Sequence, residues 1–140
     1  MDKQDFAPHA KSARLGKLAP HIAGLAGFGT TVLTTPGFDF SGPAPQPTYA
    51  TAAELVQAFD ENVAKTREAL KNAPDEAWTQ NWKLTFQGHP IFNGSRFLAY
   101  REMFLNHLVH HRAQLGVYLR MTETNVPATY GPSADEALAL

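Results

Sequence analysis

The chain has 140 residues, the size of one ordinary domain, and 44% of them are hydrophobic, enough for one compact core, so residues 1–140 are read as a single domain. Twelve basic residues against 13 acidic ones leave a formal net charge of -1, which gives no electrostatic footprint for nucleic acid or for an anionic membrane surface. The absence of cysteine removes disulfides, zinc ribbons and any internal thiol nucleophile, and it fits a cytoplasmic protein.

The N-terminal residues carry no apolar run of the kind that a secretory signal needs. The uncharged stretch from Leu18 to Phe38 holds Pro20, His21, four glycines and four threonines, too polar and too broken to span a bilayer. From just before it, Leu15, Leu18, Ile22, Leu25, Phe28 and Val32 recur in steps of three or four, which predicts an amphipathic helix from about Ser12 to Leu33 with a kink near Pro20. Thr35 to Tyr49 contains four prolines and two glycines and reads as an extended loop. Thr51 with Glu54 forms a capping box, and Leu55, Phe59, Val63 and Leu70 continue a second helix until Asn72 and Pro74 stop it.

Trp82 to Phe86, then Gln87-Gly88, then Pro90 to Phe92 predict a small hairpin arm, too short for a sheet of its own. The longest helix follows, capped at Ser95 and running from Arg96 to about Met121 without proline. Phe97, Tyr100, Phe104, Leu108, Leu115 and Leu119 mark its apolar face. A second capping box, Ser133 to Glu136, suggests a short terminal helix. These elements make an all-α protein with a small hairpin arm.

The histidines carry the chemistry. His107 and His111 lie four residues apart on the third helix, hence about 40° apart around its axis and about 6 Å along it, so two imidazoles can reach one ion. The helical wheel alone also allows His107 with His110. His21, between Leu18 and Leu25, points along the apolar side of the first helix, where a polar ring needs a partner. The motif lacks the glutamate of a His-Glu-x-x-His zinc protease, and Glu102 points to the far face of its helix. Tyr100 and Tyr118 share the face of the histidine pair. His9 and His89 fall in segments read as loop or turn and receive no role.

The run Asn-His-Leu-Val-His-His-Arg-Ala-Gln-Leu-Gly-Val-Tyr-Leu-Arg from Asn106 to Arg120 resembles the DinB family, the DNA-damage-inducible B or YfiT-like proteins. Further agreement comes from Asn125-Val126-Pro127, from Tyr130 to Glu136, and from Lys11-Ser12, Leu15 to Ala19 and His21 to Ala23. The resemblance implies an up-down-down-up four-helix bundle in which a histidine of the second helix and a His-x-x-x-His of the fourth bind a divalent metal, here His21, His107 and His111. It favours His111 over His110. Only about ten residues precede Lys11, so the first bundle helix is short or missing, and the three predicted helices correspond to the family's second, third and fourth.

Three neutral imidazoles leave open positions on zinc, nickel or iron(II), which allows an enzyme of small molecules; the resemblance implies either a transferase using a low-molecular-weight thiol such as bacillithiol, mycothiol or glutathione, or a hydrolase. The alternatives are a non-catalytic module that binds metal or ligand, and a metal-free helical interaction protein whose histidines are incidental. Three amphipathic helices without a fourth would leave an apolar groove, so a homodimer is expected.

Overall fold

The structure is a computed structural model that describes residues 3–42 and 47–137. Its helices are α1 (Leu15–Leu25), α2 (Phe28–Thr34), α3 (Ala52–Lys71), α4 (Arg96–Ala99) and α5 (His107–Met121). A π-helical segment, Tyr100–Asn106, joins α4 to α5 in one continuous rod. Strands β1 (Gly37–Asp39), β2 (Asn81–Phe86) and β3 (His89–Ser95) form a mixed sheet in the order β1-β2-β3, with β1 parallel and β3 antiparallel to β2. No helix among the described residues is long and apolar enough to cross a membrane.

The all-α expectation is therefore overturned: this is an α+β fold, three helical rods with a three-stranded sheet. The predicted arm is the β2–β3 hairpin, and the predicted loop supplies the third strand, since Gly37, Phe38 and Asp39 pair with Lys83, Leu84 and Thr85. Three residues amid prolines carry no strand periodicity, and their partner lies across the whole of α3. The hairpin turns through Gln87 and Gly88, both at positive φ (51° and 75°), as a two-residue turn of the primed type requires. Residues 43–46 of the predicted loop lie outside the described residues.

The first predicted helix breaks, but not at its proline. Pro20 sits inside an intact α1, and the interruption falls at Ala26-Gly27. Carbonyls near that break are satisfied from α3: Asn62 Nδ2 donates to Ala23 O (2.9 Å) and Thr66 Oγ1 to Ala26 O (2.8 Å). Gly29 lets α2 close on this contact, because a Cβ there would stand 2.5 Å from Thr66 Cγ2 and 2.8 Å from Phe104 Cε1. The capping box of α3 forms as predicted, with Thr51 Oγ1 accepting from Glu54 N (3.2 Å), while Glu54 reaches back to the amide of Ala50 (2.8 Å). Ser133 Oγ likewise accepts from the amides of Asp135 and Glu136, yet no helix follows through Ala137, and residues 138–140 lie outside the described residues.

Two apolar clusters result. Trp82 and Leu84 alternate inward from β2 and join Val32 of α2 and Ala99 of α4. Leu18 and Ile22 of α1 meet Tyr118 of α5, with Phe6, Phe59, Leu108 and Leu115 around them. Helix α1 packs against both α3 and α5, which places it at the centre of the second cluster.

A polar clip ties β1 to the hairpin turn. Asp39 accepts from Ser41 N (2.7 Å), the Ser41 hydroxyl, Thr85 Oγ1 (2.6 Å) and the Gly88 amide. These donors, first the Ser41 and Thr85 hydroxyls, lower its carboxyl to about 2. With the folded value below the unfolded one, the stabilisation is complete above about pH 4 and is lost as pH falls toward 2. Urea midpoints measured from pH 5 to pH 2.5 are therefore expected to fall more steeply for wild type than for Asp39→Asn; equal slopes would show that the clip contributes nothing.

Candidate metal centre

Helix α1 presents His21 and α5 presents His107 and His111 across their shared interface. The α1 residues flanking His21, Leu18 and Ile22, are buried against Tyr118, so packing of the apolar stripe carries His21 to the interface. The His21 ring lies 5.4 Å from that of His107 and 4.5 Å from that of His111, centroid to centroid. One ring nitrogen from each of the three lies within 4.8 Å of the other two, a group that could hold a metal ion. All three rings are half-buried.

The π-helical segment sets the register of the pair. Along the rod the buried positions run Arg96, Ala99, Phe104 and Tyr118, and the step from Ala99 to Phe104 is five residues. A wide i→i+5 turn accommodates that step and rotates everything downstream by about 100° relative to a regular α-helix. Phe97, expected on the apolar face, is left 54% exposed, while His107 and His111 face α1.

Each ring of the pair has an acceptor beside it. For His107 it is the backbone carbonyl of Met103, within the π-helical segment, which favours the protonated ring. His111 Nδ1 lies 2.8 Å from Gln114 Oε1, an acceptor, so the nitrogen carries the proton. His107 Nε2 and His111 Nε2 then face each other at 2.9 Å. Burial lowers the pKa of His21, with help from the neighbouring His111 and His107. Burial likewise lowers that of His107, beside His111 and partly opposed by the bond to Met103. Both effects favour the neutral ring that coordination requires.

An open cleft of about 420 Å³ reaches His21 and His111, with Lys11, Lys17, Gln114 and Tyr118 among its walls. The Tyr118 hydroxyl donates to Ala13 O (2.7 Å), so the residue offers the cleft a ring and not a free hydroxyl. Tyr100 is not at the site: it packs on Trp78 and Phe104 beside the other cluster. His110 is exposed, its ring 4.9 Å from that of His111 but outside the converging group. His89 opens β3, and His9 Nδ1 accepts from the Lys11 amide in a turn (3.1 Å). No carboxylate among the described residues joins the three histidines. Gln114 and the Met103 carbonyl were missed in the sequence; the first could have been found from its i+3 spacing to His111.

The fold, three helical rods with a sheet before the last of them, is that of DinB-like proteins of known structure, which supports placing the chain in that class. Among solved structures, the DinB-like protein YjoA of Bacillus subtilis superposes with a TM-score of 0.64 at 17% identity, over 90% of this chain and 81% of that one. A DinB-like protein of Bacillus cereus does so with a TM-score of 0.63 at 25% identity, over 91% of this chain and 79% of the other. In sequence, the uncharacterized protein YrdA of Bacillus subtilis is 26% identical over 125 residues, which are 87% of this chain and 69% of YrdA. No family model matches the chain.

Proposed function

We propose that the protein is a divalent-metal-dependent enzyme of small molecules, with zinc, nickel or iron(II) held by His21, His107 and His111, and that its reaction transfers a low-molecular-weight thiol to an electrophile. One observation carries the metal: one ring nitrogen from each of His21, His107 and His111 lies within 4.8 Å of the other two, and with the His111 Nδ1 proton directed to Gln114 Oε1 its Nε2 lone pair faces His107 Nε2 at 2.9 Å. The donor set fits. Neutral imidazoles suit these ions, and nitrogens bound to one ion at about 2.0–2.1 Å stand roughly 3–4 Å apart. A trio already within 4.8 Å therefore needs only small ring movements.

When bound, such an ion supplies Lewis acidity, lowering the pKa of a thiol or water in an open position. The rest follows from the chain's own residues. The ion alone can deprotonate bound water, but cleavage of an amide or ester is assisted by a carboxylate acid-base, and none among the described residues joins the histidines. A thiol needs no such base, and with no cysteine in the sequence it must come from outside. In the transfer, sulfur bonds to the electrophilic carbon, the leaving group departs with its electron pair, and the thiol proton passes to solvent through the open cleft. Tyr118 and Leu18 give that cleft an apolar wall, and the lysines Lys11 and Lys17 line its sides.

The test is turnover of a chromogenic electrophile with a panel of low-molecular-weight thiols, comparing metal-loaded wild type with His107→Ala. Wild type is expected to exceed the variant by at least about 100-fold with its preferred thiol. Equal rates with every thiol, alongside metal-dependent ester or amide cleavage, would replace transfer by hydrolysis; no turnover of either kind would leave a binding module.

A further inference from the structure

We propose that Gln114 is a positioning residue of the histidine site: by accepting the Nδ1–H of His111 it holds that ring in the tautomer whose Nε2 lone pair faces His107. The proposal rests on the metal reading above and extends it to a residue that cannot itself be expected to bind the ion. Which nitrogen of a neutral imidazole keeps its proton is set by the hydrogen bond that the other nitrogen's side of the ring makes. Here the partner is 2.8 Å away, on the same helix face three residues further on, in the wall of the cleft.

The two rings of the pair have unlike neighbours. Beside His107 is a backbone carbonyl, that of Met103, which no side-chain replacement removes. His111 depends on a side chain alone. Gln114 is thus the point at which the pair can be undone without touching a ligand. A neutral amide oxygen also directs the ring without adding charge to the site. Gln114 is exposed and joins neither apolar cluster, so its replacement spares the core.

Zinc affinity measured by competition with a chromophoric chelator, for wild type, Gln114→Ala and Gln114→Glu, tests the idea. Nitrogen NMR of the imidazoles in metal-free protein reports the His111 tautomer directly. The alanine variant is expected to bind zinc about 10–100-fold more weakly and to lose the Nδ1–H form of His111, with an unchanged melting temperature. The glutamate variant, whose carboxylate accepts the same proton, is expected to keep both affinity and tautomer. An affinity for Gln114→Ala within twofold of wild type overturns the proposal. If wild type binds no zinc, the metal reading falls by itself, and identical His111 tautomers in metal-free wild type and Gln114→Ala protein would still overturn the positioning role.

Discussion

Protein loaded with zinc or nickel and then desalted is expected to retain about one ion per chain, and the His107→Ala, His111→Ala double variant to retain none. The pair supplies two of the three converging nitrogens from one helix, and His21 alone on α1 is a single imidazole with no chelate partner. His21→Ala removes the donor that ties α1 to α5. Its loss of affinity should exceed the roughly 10–100-fold typical of removing an outer partner of a ligand. His9→Ala, whose ring serves a turn, should match wild type.

Acid should release the ion. His21 and His107 have pKa values lowered by burial, so protons compete with metal only below the ordinary imidazole value of about 6.5. Retention should therefore be flat from pH 8 to about 6.5 and fall below it. The same shifts bear on the metal-free fold. Between the lowered folded values and about 6.5 the unfolded chain binds more protons, so stability rises with pH; it is fully present above about 6.5 and is lost as pH falls through the folded values. Metal content by atomic emission across that range is the measurement. Wild-type retention in the double variant would end the metal reading.

Arg96→Met is expected to destabilise the fold by about 2–5 kcal/mol, a large share of the roughly 5–15 kcal/mol that holds a domain together. Arg96 is buried at 7% exposure, and its Nη1 donates to two carbonyls at the end of α2, Val32 O (3.1 Å) and Leu33 O (2.5 Å). Its Nη2 lies 3.4 Å from Gln80 Oε1, and its Nε has no partner. Methionine would fill much of the volume but leave both carbonyls without their donor. Removing a guanidinium with an unsatisfied nitrogen offsets part of this cost, which sets the lower end of the range. Arg96→Lys keeps the charge but not the fork, so it should recover only part of the loss. The check is urea unfolding of wild type and both variants. A midpoint for Arg96→Met equivalent to a change under about 0.5 kcal/mol would show that water replaces the arginine at the α2 carbonyls.

Much of the candidate site could be read before the fold was known. The i,i+4 spacing of His107 and His111 places two rings on one face of any α-helix, and the apolar stripe around His21 turns that residue inward with Leu18 and Ile22. Helix α3 was readable for the same reason: a capping box and a steady three-to-four residue rhythm are local signals. The β2–β3 hairpin announced itself through Gln87-Gly88 between two apolar runs.

What the sequence determined by itself, then, is whatever depends on near neighbours: the long helices, the hairpin, and a histidine pair with a third histidine on another apolar face. Tertiary structure alone decided the rest. The break at Ala26-Gly27 rather than at Pro20 depends on Asn62 and Thr66, nearly forty residues away, to satisfy the carbonyls of α1. Strand β1 exists because β2 offers an edge after α3 has intervened, and so an all-α expectation failed. The helical wheel left His110 and His111 both open and only the family resemblance favoured His111; that His111 joins His21 and His107 follows from packing on both sides of one rod. Arg96 and Ala99 must face α2 and the sheet while Tyr118 must face α1, and the wide turn at Tyr100–Asn106 reconciles the two registers. A helical wheel assumes a single register, and only the contacts at both ends of the rod could show that there are two.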